Sequence, residues 1–268
     1  MIIIQNGYNL QSSSFTDQQN EIIQLMNRYQ ETYSYTNRSQ FLFELKLRME
    51  SIQAAEDLYK SGVKFATFAT SRCNEKLWTL TSQGGFVIRQ GVSPSDAIND
   101  IFNNGQLYAF ECATSIVIVY YKAVLESIDL NQFNRLYQGM ILYDWHFDDD
   151  LSIYTRRGND YLPGDCLYFK NPDFNPKTPQ WRGENAIYLG NNLFYGHGIG
   201  IKDAAGIIES LSKKRRPGAT ESPFLLSQVT RLDAKFLYNF SPMDNLRVPA
   251  FLQENTIVTR IGSKRMWI

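Results

Sequence analysis

Cys112 is the residue whose type and position most clearly permit chemistry. It directly precedes the apolar run Ile116–Tyr121, which predicts a buried helix that begins beside the cysteine. Unpaired backbone N–H groups and the positive end of the helix dipole at that position favour thiolate over thiol. Because free cysteine is also a common core residue, position alone leaves Cys112 as either a nucleophile or a core side chain.

A cysteine nucleophile needs a proton acceptor, and the chain has two histidines. His197 lies in the glycine-rich segment Phe194–Gly200, where small residues leave room for a ligand or a close backbone contact. His146 lies in the acidic segment Asp144–Asp150, whose spacing lacks the glycine of a calcium loop. We therefore interpret the His146 segment as a solvated loop and expect no metal site.

Two carboxylates are further candidates for the proton acceptor. Glu184 begins the apolar segment Glu184–Gly190, where burial would raise its pKa toward neutral pH. A salt bridge to Arg182 or to another cation is the alternative interpretation, and composition does not decide between the two. Glu111 is the chain neighbour of Cys112 and is also within reach of the thiol.

Composition excludes several classes of protein. The chain of 268 residues is 43% hydrophobic and 14% aromatic, enough for a substantial core in one domain. Its 27 basic residues balance 27 acidic ones, which favours neither nucleic acid nor an anionic membrane as partner. We find no secretory signal and no apolar run of the roughly 18–20 residues that span a bilayer. Three cysteines argue for a reducing compartment, so we expect a soluble protein made in a cytoplasm, with no cofactor.

The hydrophobic pattern predicts helices in the first half of the chain and strands in the second. Predicted helices cover residues 15–31, 39–61, 94–105, 112–128, 129–139 and 203–216. Predicted strands cover residues 64–70, 78–80, 86–88, 140–143, 166–169, 185–189 and 193–195. The last helix ends in Lys213-Lys-Arg-Arg216, which we interpret as a complement to the helix dipole rather than a nucleic-acid site. Cys166 is expected in the core and Cys73 in a polar loop.

The order of these elements predicts an α+β fold with a papain-like layout: helices first, a nucleophile at the start of a central helix, then an antiparallel sheet. We treat residues 1–268 as a single domain. It comprises a helical N-terminal part (1–62), a catalytic core (105–216) and a C-terminal extension of unknown role (241–268).

Three segments resemble the cell-wall cysteine peptidases of the NlpC superfamily. Phe110–Thr114 is similar to their helix-start nucleophile motif, and Leu162–Phe169 to their Pro-Gly-Asp turn and following strand. Glu184–Gly190 resembles the strand that begins with their catalytic histidine, but glutamate stands in that position here. His197 falls near their third polar residue. The resemblance therefore implies an NlpC-like core in which a Cys–Glu pair replaces Cys–His, which argues against plain peptidase activity.

A closer resemblance, to the spore-coat transglutaminases of Bacillus, extends over roughly residues 38–240. The blocks that carry it are Phe43–Met49, Ser61–Phe68, Tyr108–Thr114, Ile141–His146, Gly164–Pro172, Gln180–Asn185 and Leu225–Asp233. The resemblance is weak in the first 35 or so residues and absent after Ser241. It implies Cys112, Glu184 and His197 as active-site residues. It also implies calcium-independent formation of ε-(γ-glutamyl)lysine cross-links between spore-coat proteins.

By this resemblance, Cys112 would form a thioester with a peptide glutamine while Glu184 moves the protons and helix-start N–H groups stabilise the oxyanion. His197 would orient the pair, and Glu111 would be a secondary acceptor. An apolar approach should protect the thioester from water. Its candidate walls are Phe65, Phe68, Phe110, Tyr168, Trp181 and Tyr195. An NlpC-like hydrolase and a non-catalytic coat scaffold are the alternatives. The protein would be made in the mother cell and deposited in the spore coat.

Overall fold

A computed structural model describes residues 1–5, 15–242, 258–261 and 264–267. The helices in this part of the chain are α1 (Asp17–Arg28), α2 (Arg38–Lys60), α3 (Pro94–Asn103), α4 (Cys112–Leu125), α5 (Leu130–Leu136), α6 (Ala204–Ser212) and α7 (Ala234–Leu237). The strands are β1 (Ile2–Ile4), β2 (Tyr33–Tyr35), β3 (Lys64–Phe65), β4 (Trp78–Leu80), β5 (Phe86–Ile88), β6 (Ala109–Phe110), β7 (Ile141–Leu142), β8 (Ile153–Arg157), β9 (Cys166–Lys170), β10 (Gly183–Gly190), β11 (Leu193–Gly196), β12 (Gly200–Asp203), β13 (Phe224–Leu225), β14 (Gln228–Leu232), β15 (Val258–Ile261) and β16 (Lys264–Trp267). None of the helices in the described ranges has the length and apolarity that a membrane crossing requires.

Helix α4 is the centre of the fold. Its side chains from Ala113 to Tyr121 are buried without interruption, so the helix is apolar on every face. α2 packs along one side of α4, α3 lies against another, and β10 covers the side toward the sheet. This packing holds the N-terminal end of α4 against the sheet.

The main sheet is antiparallel, with strand order β12-β11-β10-β9-β14-β8 and β13 paired to β9. Two short parallel pairs, β1 with β2 and β3 with β6, lie outside it, together with the three-stranded β4-β5-β7 sheet. Helices packed on an antiparallel sheet, with the cysteine at the start of the central helix, confirm the predicted α+β, papain-like layout.

A buried ion-pair network explains the Pro-Gly-Asp segment. Gly164 has φ +90°, a conformation that favours glycine, and places Asp165 at the start of β9. The buried carboxylate of Asp165 accepts from Arg48 of α2 at 2.9 Å and from Arg231 of β14 at 2.6 Å. The network joins α2, β9 and β14, and thereby fixes the strand that pairs with β10.

Most predicted elements are confirmed within a few residues, and three differences stand out. Only residues 64–65 of the predicted strand 64–70 form a strand, because β6 offers a short edge and residues 68–70 turn into a 3-10 helix. Helix α6 ends at Ser212 with Lys213 as its C-cap, so the basic run Lys213–Arg216 begins at the end of the helix instead of forming its last turn. The pattern also missed β8 and β14, whose polar residues pair with each other at one side of the sheet. Of the expected extension 241–268, the structure describes mainly β15 and β16, which pair with each other.

Candidate active site

The site is built where β6 leads into α4. The parallel pairing of Phe65 with Phe110 holds the chain two residues before the nucleophile candidate. Cys112 is the first residue of α4, and its side chain is half-buried. The predicted helix start is thus confirmed, with the sulfur at the junction of helix and sheet.

Glu111 is the N-cap of α4. Its carboxylate oxygens accept from the backbone N–H groups of Ala113 at 2.7 Å and Thr114 at 2.6 Å. Two of the helix-start donors that we expected to stabilise an oxyanion are therefore already bonded. The carboxylate also places negative charge at the positive end of the helix dipole, beside the sulfur.

The thiol of Cys112 is consequently less acidic than its helix-start position predicted. Burial raises its pKa well above the ordinary value, and the carboxylates of Glu184 and Glu111 raise it further. Hydrogen bonds from Asn185 act in the opposite direction but are outweighed. The expected helix-stabilised thiolate is therefore wrong for the free enzyme, because the cap carboxylate cancels the dipole and the desolvation remains. The resting sulfur is a thiol that must lose its proton as it attacks.

Glu184 lies on β10, opposite the start of α4. Its side chain is 1% exposed, and its Oε1 has no hydrogen-bond partner among the described residues. Burial raises the pKa of Glu184 well above its ordinary value, and the charge of Glu111 adds to the effect. The alternative of a salt bridge to Arg182 is wrong: Arg182 is exposed, and no ion pair between described residues includes Glu184.

Gly196 of β11 makes room for this carboxyl group. A Cβ atom on Gly196 would lie 2.9 Å from both Cγ and Oε1 of Glu184, closer than side-chain atoms tolerate. The absence of a side chain at Gly196 therefore leaves the space that the Glu184 carboxyl group occupies.

Asn185 is a site residue that sequence reasoning missed. Its side-chain Nδ2 donates to Cys112 Sγ at 3.8 Å. The pairing of β10 with β11 begins at Ala186, opposite Gly196, so the edge of β10 at Asn185 is open toward α4. The available signal was an amide directly after Glu184.

His197 is held away from proton exchange with the sulfur. It is 3% exposed, and its Nε2 lies 3.1 Å from the backbone carbonyl of Phe110 while its Nδ1 lies 3.0 Å from the hydroxyl of Tyr195. Because a carbonyl can only accept, Nε2 carries the hydrogen and Nδ1 accepts from Tyr195. Burial lowers the pKa of His197 to about 4, so the ring is neutral. The histidine joins the end of β11 to the strand that leads into Cys112.

The six aromatic residues that we expected to line the approach to the sulfur differ in their burial and in their contacts. Phe110 and Tyr195 are buried core residues that support His197, and the Phe110 ring stacks on the imidazole at 5.0 Å. Phe65 and Trp181 are half-buried and stack on each other at 5.4 Å, with Phe65 6.0 Å from the His197 ring.

The remaining two aromatics differ in their relation to the sulfur. Tyr168 is half-buried, and its burial raises the pKa of its hydroxyl, an effect to which the charges of Cys112 and Glu184 add. Phe68 instead packs on Tyr143 at 4.7 Å. Phe65, Trp181 and Tyr168 therefore have partly exposed apolar surface next to the site, and Phe68 has no contact with the site residues among its ring contacts.

The other candidate residues, His146, Cys166 and Cys73, form no hydrogen bond or ion pair with the side chains around Cys112 in the part of the chain that the structure describes. His146 is exposed in a turn, Cys166 is buried, and Cys73 is half-buried with a pKa that burial raises to about 11. The described residues contain no group of three or more His, Cys, Asp or Glu side chains arranged to hold a metal ion. Cys112, Glu184, Glu111 and Asn185 are thus the side chains that converge.

Comparison with known proteins agrees with the chemistry of this cluster. The chain matches the family described as Protein-glutamine gamma-glutamyltransferase over residues 1–241. It belongs to that family. The chain is therefore a transglutaminase, an acyltransferase that acts on proteins.

Individual members of the family are similar over most of their length. A protein-glutamine gamma-glutamyltransferase of Bacillus pumilus is 50% identical over 228 residues, covering 85% of this chain and 92% of the relative. One of Bacillus licheniformis is 53% identical over 201 residues, covering 75% and 82%. The solved structure of a transglutaminase from Geobacillus stearothermophilus, without its C-terminal extension, is 57% identical and superposes with a TM-score of 0.74. That match covers 76% of this chain and 98% of the Geobacillus chain.

Proposed function

We propose that this transglutaminase cross-links spore-coat proteins through ε-(γ-glutamyl)lysine bonds, by way of a thioester on Cys112 and without calcium. The observation that carries the proposal is the buried, unpaired carboxyl group of Glu184 beside the half-buried thiol of Cys112. A carboxyl group with a raised pKa can both accept and return a proton near neutral pH. Acyl transfer from an amide to an amine needs both steps.

In the first half-reaction, Cys112 Sγ attacks the carboxamide carbon of a glutamine while its proton passes to Glu184. The tetrahedral intermediate carries the charge on its oxygen. When it collapses, the carbon–nitrogen bond breaks, Glu184 returns the proton to the leaving nitrogen, and ammonia departs. The product is a thioester on Cys112 with Glu184 ionised again.

In the second half-reaction, the ε-amine of a lysine attacks the thioester. A free lysine ammonium has a pKa near 10.4, so it must first release one proton to solvent and attack as the neutral amine. Glu184 accepts the proton that the attacking nitrogen releases, and the carbon–sulfur bond breaks. The departing sulfur takes the proton from Glu184, which regenerates the thiol and the carboxylate.

The neighbouring groups have separate tasks in this scheme. Asn185 donates to the sulfur through its side chain, which stabilises negative charge on Sγ as it attacks and leaves. The Cys112 N–H makes no hydrogen bond among the described residues, so it replaces the Ala113 and Thr114 donors as the helix-start donor for the oxyanion. His197 positions the chain before Cys112, and Glu111 acts as the cap and as a weaker acceptor.

The proposal needs no calcium because every proton and bonding step is carried by protein side chains. The sulfur supplies the nucleophile and Glu184 supplies proton transfer, so no step requires a Lewis acid. Phe65, Trp181 and Tyr168 are half-buried, and Phe65 contacts both Trp181 and His197, which supports an apolar approach that disfavours water relative to an amine on an aliphatic chain. We propose these three residues as walls of the approach to the thioester.

We also propose that the protein is made in the cytoplasm of the mother cell and then acts in the spore coat. Cys73, Cys112 and Cys166 are all free cysteines, which supports synthesis in a reducing compartment. The similarity to a protein of Bacillus pumilus supports a spore-forming cell as the place of synthesis. Within the single domain, we propose that residues 1–241 form the transglutaminase unit, because the family match ends there. The extension to residue 268 is then an addition to that unit.

An amine-incorporation assay tests the proposed mechanism against its alternatives. The protein is incubated with a glutamine peptide and a fluorescent primary amine, and both labelled peptide and ammonia are measured. We expect labelled peptide from the wild type and none from Cys112→Ala, since only the sulfur can carry the acyl group. Ammonia without labelled peptide would instead show a hydrolase. A Cys112 thiol inert to iodoacetamide, with no product of either kind, would show a scaffold.

A further inference from the structure

A cluster of positive charge lies beside the site and takes no part in the proposed chemistry. Two chain segments form it, residues 170–182 and residues 213–216. The backbone N–H of Asn175 donates to the Lys214 carbonyl at 3.0 Å, and the Arg216 N–H donates to the Asp173 carbonyl at 2.9 Å. These bonds make the two segments one continuous surface, the basic platform. Its cationic residues are Lys170, Lys177, Arg182, Lys213, Lys214, Arg215 and Arg216.

The platform is charged although the whole chain is neutral. Asp173 is the one acidic residue in the two segments, and it is already paired with Arg216 at 2.7 Å. Lys213 pairs with Glu209 outside the platform at 2.7 Å. The ion pairs between described residues include none of the other five cations. Part of the basic run also acts as the expected dipole complement, because Lys213 is the C-cap of α6 and Arg215 Nε donates to the Ser212 carbonyl at 3.4 Å.

The platform is continuous with the aromatic wall of the site. The Lys214 ammonium lies 5.0 Å from the centre of the Trp181 ring, and Trp181 stacks on Phe65. On the other side, the Tyr168 hydroxyl donates to the Arg182 carbonyl at 3.4 Å. A polypeptide whose glutamine reaches Cys112 past Phe65, Trp181 or Tyr168 therefore places its flanking residues next to the platform.

We infer that the basic platform binds the glutamine-donor substrate, and that this donor carries Asp or Glu residues within a few positions of the reactive glutamine. The inference rests on the proposed function and names the class of its donor. A lysine-donor segment is excluded from the platform by its own charge, since like charges repel across an interface. The platform thereby separates the two substrates: the acidic glutamine segment docks on it, and the lysine segment approaches from elsewhere.

Kinetics with matched peptides test this inference. Two peptides differ only in the residues around one glutamine, which are Glu in one and Lys in the other, and a small fluorescent amine is the acceptor. We expect the wild type to prefer the Glu peptide by about tenfold or more in kcat/KM, and the preference to shrink as salt rises. In Lys177→Glu/Lys214→Glu the ratio should fall to about one or invert, because two unpaired charges of the platform are reversed.

A matched control makes the same charge change elsewhere. Lys76 and Lys235 are exposed and form no ion pair with described residues, and neither lies in the platform. Lys76→Glu/Lys235→Glu should keep the wild-type ratio. The ratio compares two peptides on one enzyme, so a general loss of activity in either variant cancels.

Two results would overturn the inference. One is equal kcat/KM for the two peptides in the wild type, and the other is an equal shift of the ratio in both double variants. Binding of a DNA oligonucleotide that is lost in Lys177→Glu/Lys214→Glu, without any peptide preference, would assign the platform to nucleic acid instead. Failure of the proposed function looks different, since neither peptide would then incorporate the amine.

Discussion

Gly196→Ala tests whether the position of the Glu184 carboxyl group controls the rate. The added Cβ would lie 2.9 Å from Cγ and Oε1 of Glu184 and 3.2 Å from Cδ. Ordinary contacts between such atoms are about 3.5–4 Å, so the carboxyl group must move by roughly 0.6–1 Å. The backbone at Gly196 is a regular part of β11, so alanine creates no positive-φ strain there.

A displacement of this size is large for a group that must exchange a proton with Cys112. Misplacement by about 1 Å can lower a rate about 100-fold, so kcat for amine incorporation in Gly196→Ala should fall by about that factor. Overpacking should cost the fold about 1–3 kcal/mol, which a thermal melt would record as a moderate loss.

Two controls separate the effect of moving the Glu184 carboxyl group from the effect of a less stable fold. Gly91→Ala puts a Cβ where no atom lies within 4 Å, in a backbone with φ +84°, so it strains the fold away from the site. It should lower the melting temperature while leaving kcat close to wild type. In a Glu184→Gln background, adding Gly196→Ala should change kcat little, because the base is already lost. If Gly196→Ala alone kept more than half of wild-type kcat, the positional argument would be refuted.

The remaining predictions concern the base, pH and chelation. Glu184→Gln should lower kcat about 100-fold or more, and Glu111/Glu184 double replacement further, whereas His197→Ala should cost less. A greater loss in folded His197→Ala than in the double variant would make His197 the base. Because burial raises the pKa of Glu184 in the fold, its ionisation opposes folding. The wild type therefore loses stability as pH rises from the ordinary carboxyl pKa through the raised one. The melting temperature of Glu184→Gln relative to wild type should increase as pH rises from the ordinary carboxyl pKa through the raised one, and a constant difference would contradict this. Activity should persist in excess EDTA; loss on chelation with recovery on adding calcium would refute calcium independence.

Local patterns in the sequence were sufficient to predict the elements that carry the site. The apolar run after Cys112 is a local signal for a buried element and favoured a helix, although its Ile-Val-Ile-Val core also fits a strand. The glycine-rich segment around His197 and the strand that begins at Glu184 are equally local signals. The resemblance through the Pro-Gly-Asp turn and the longer blocks then identified the family.

The ionisation states of the site depended on contacts between elements that are distant in sequence. Whether the helix start favours a thiolate was decided by the Glu111 carboxylate, which occupies the N–H groups of α4, and by Glu184 on β10. His197 is neutral because folding buries it and surrounds its two nitrogens with Tyr195 and the Phe110 carbonyl. The sequence identifies these groups but does not give the distances between them.

The same reason explains what sequence reasoning missed. The role of Asn185 follows from the open edge of β10, and that of Gly196 from its register opposite Ala186, both properties of strand pairing. The basic run after α6 was visible as a motif, but its meaning depended on where the helix ended and on its contact with Trp181. The sequence therefore determined which residues can do chemistry, and the tertiary structure decided their protonation, their spacing and their neighbours, because desolvation and charge–charge interactions act through space.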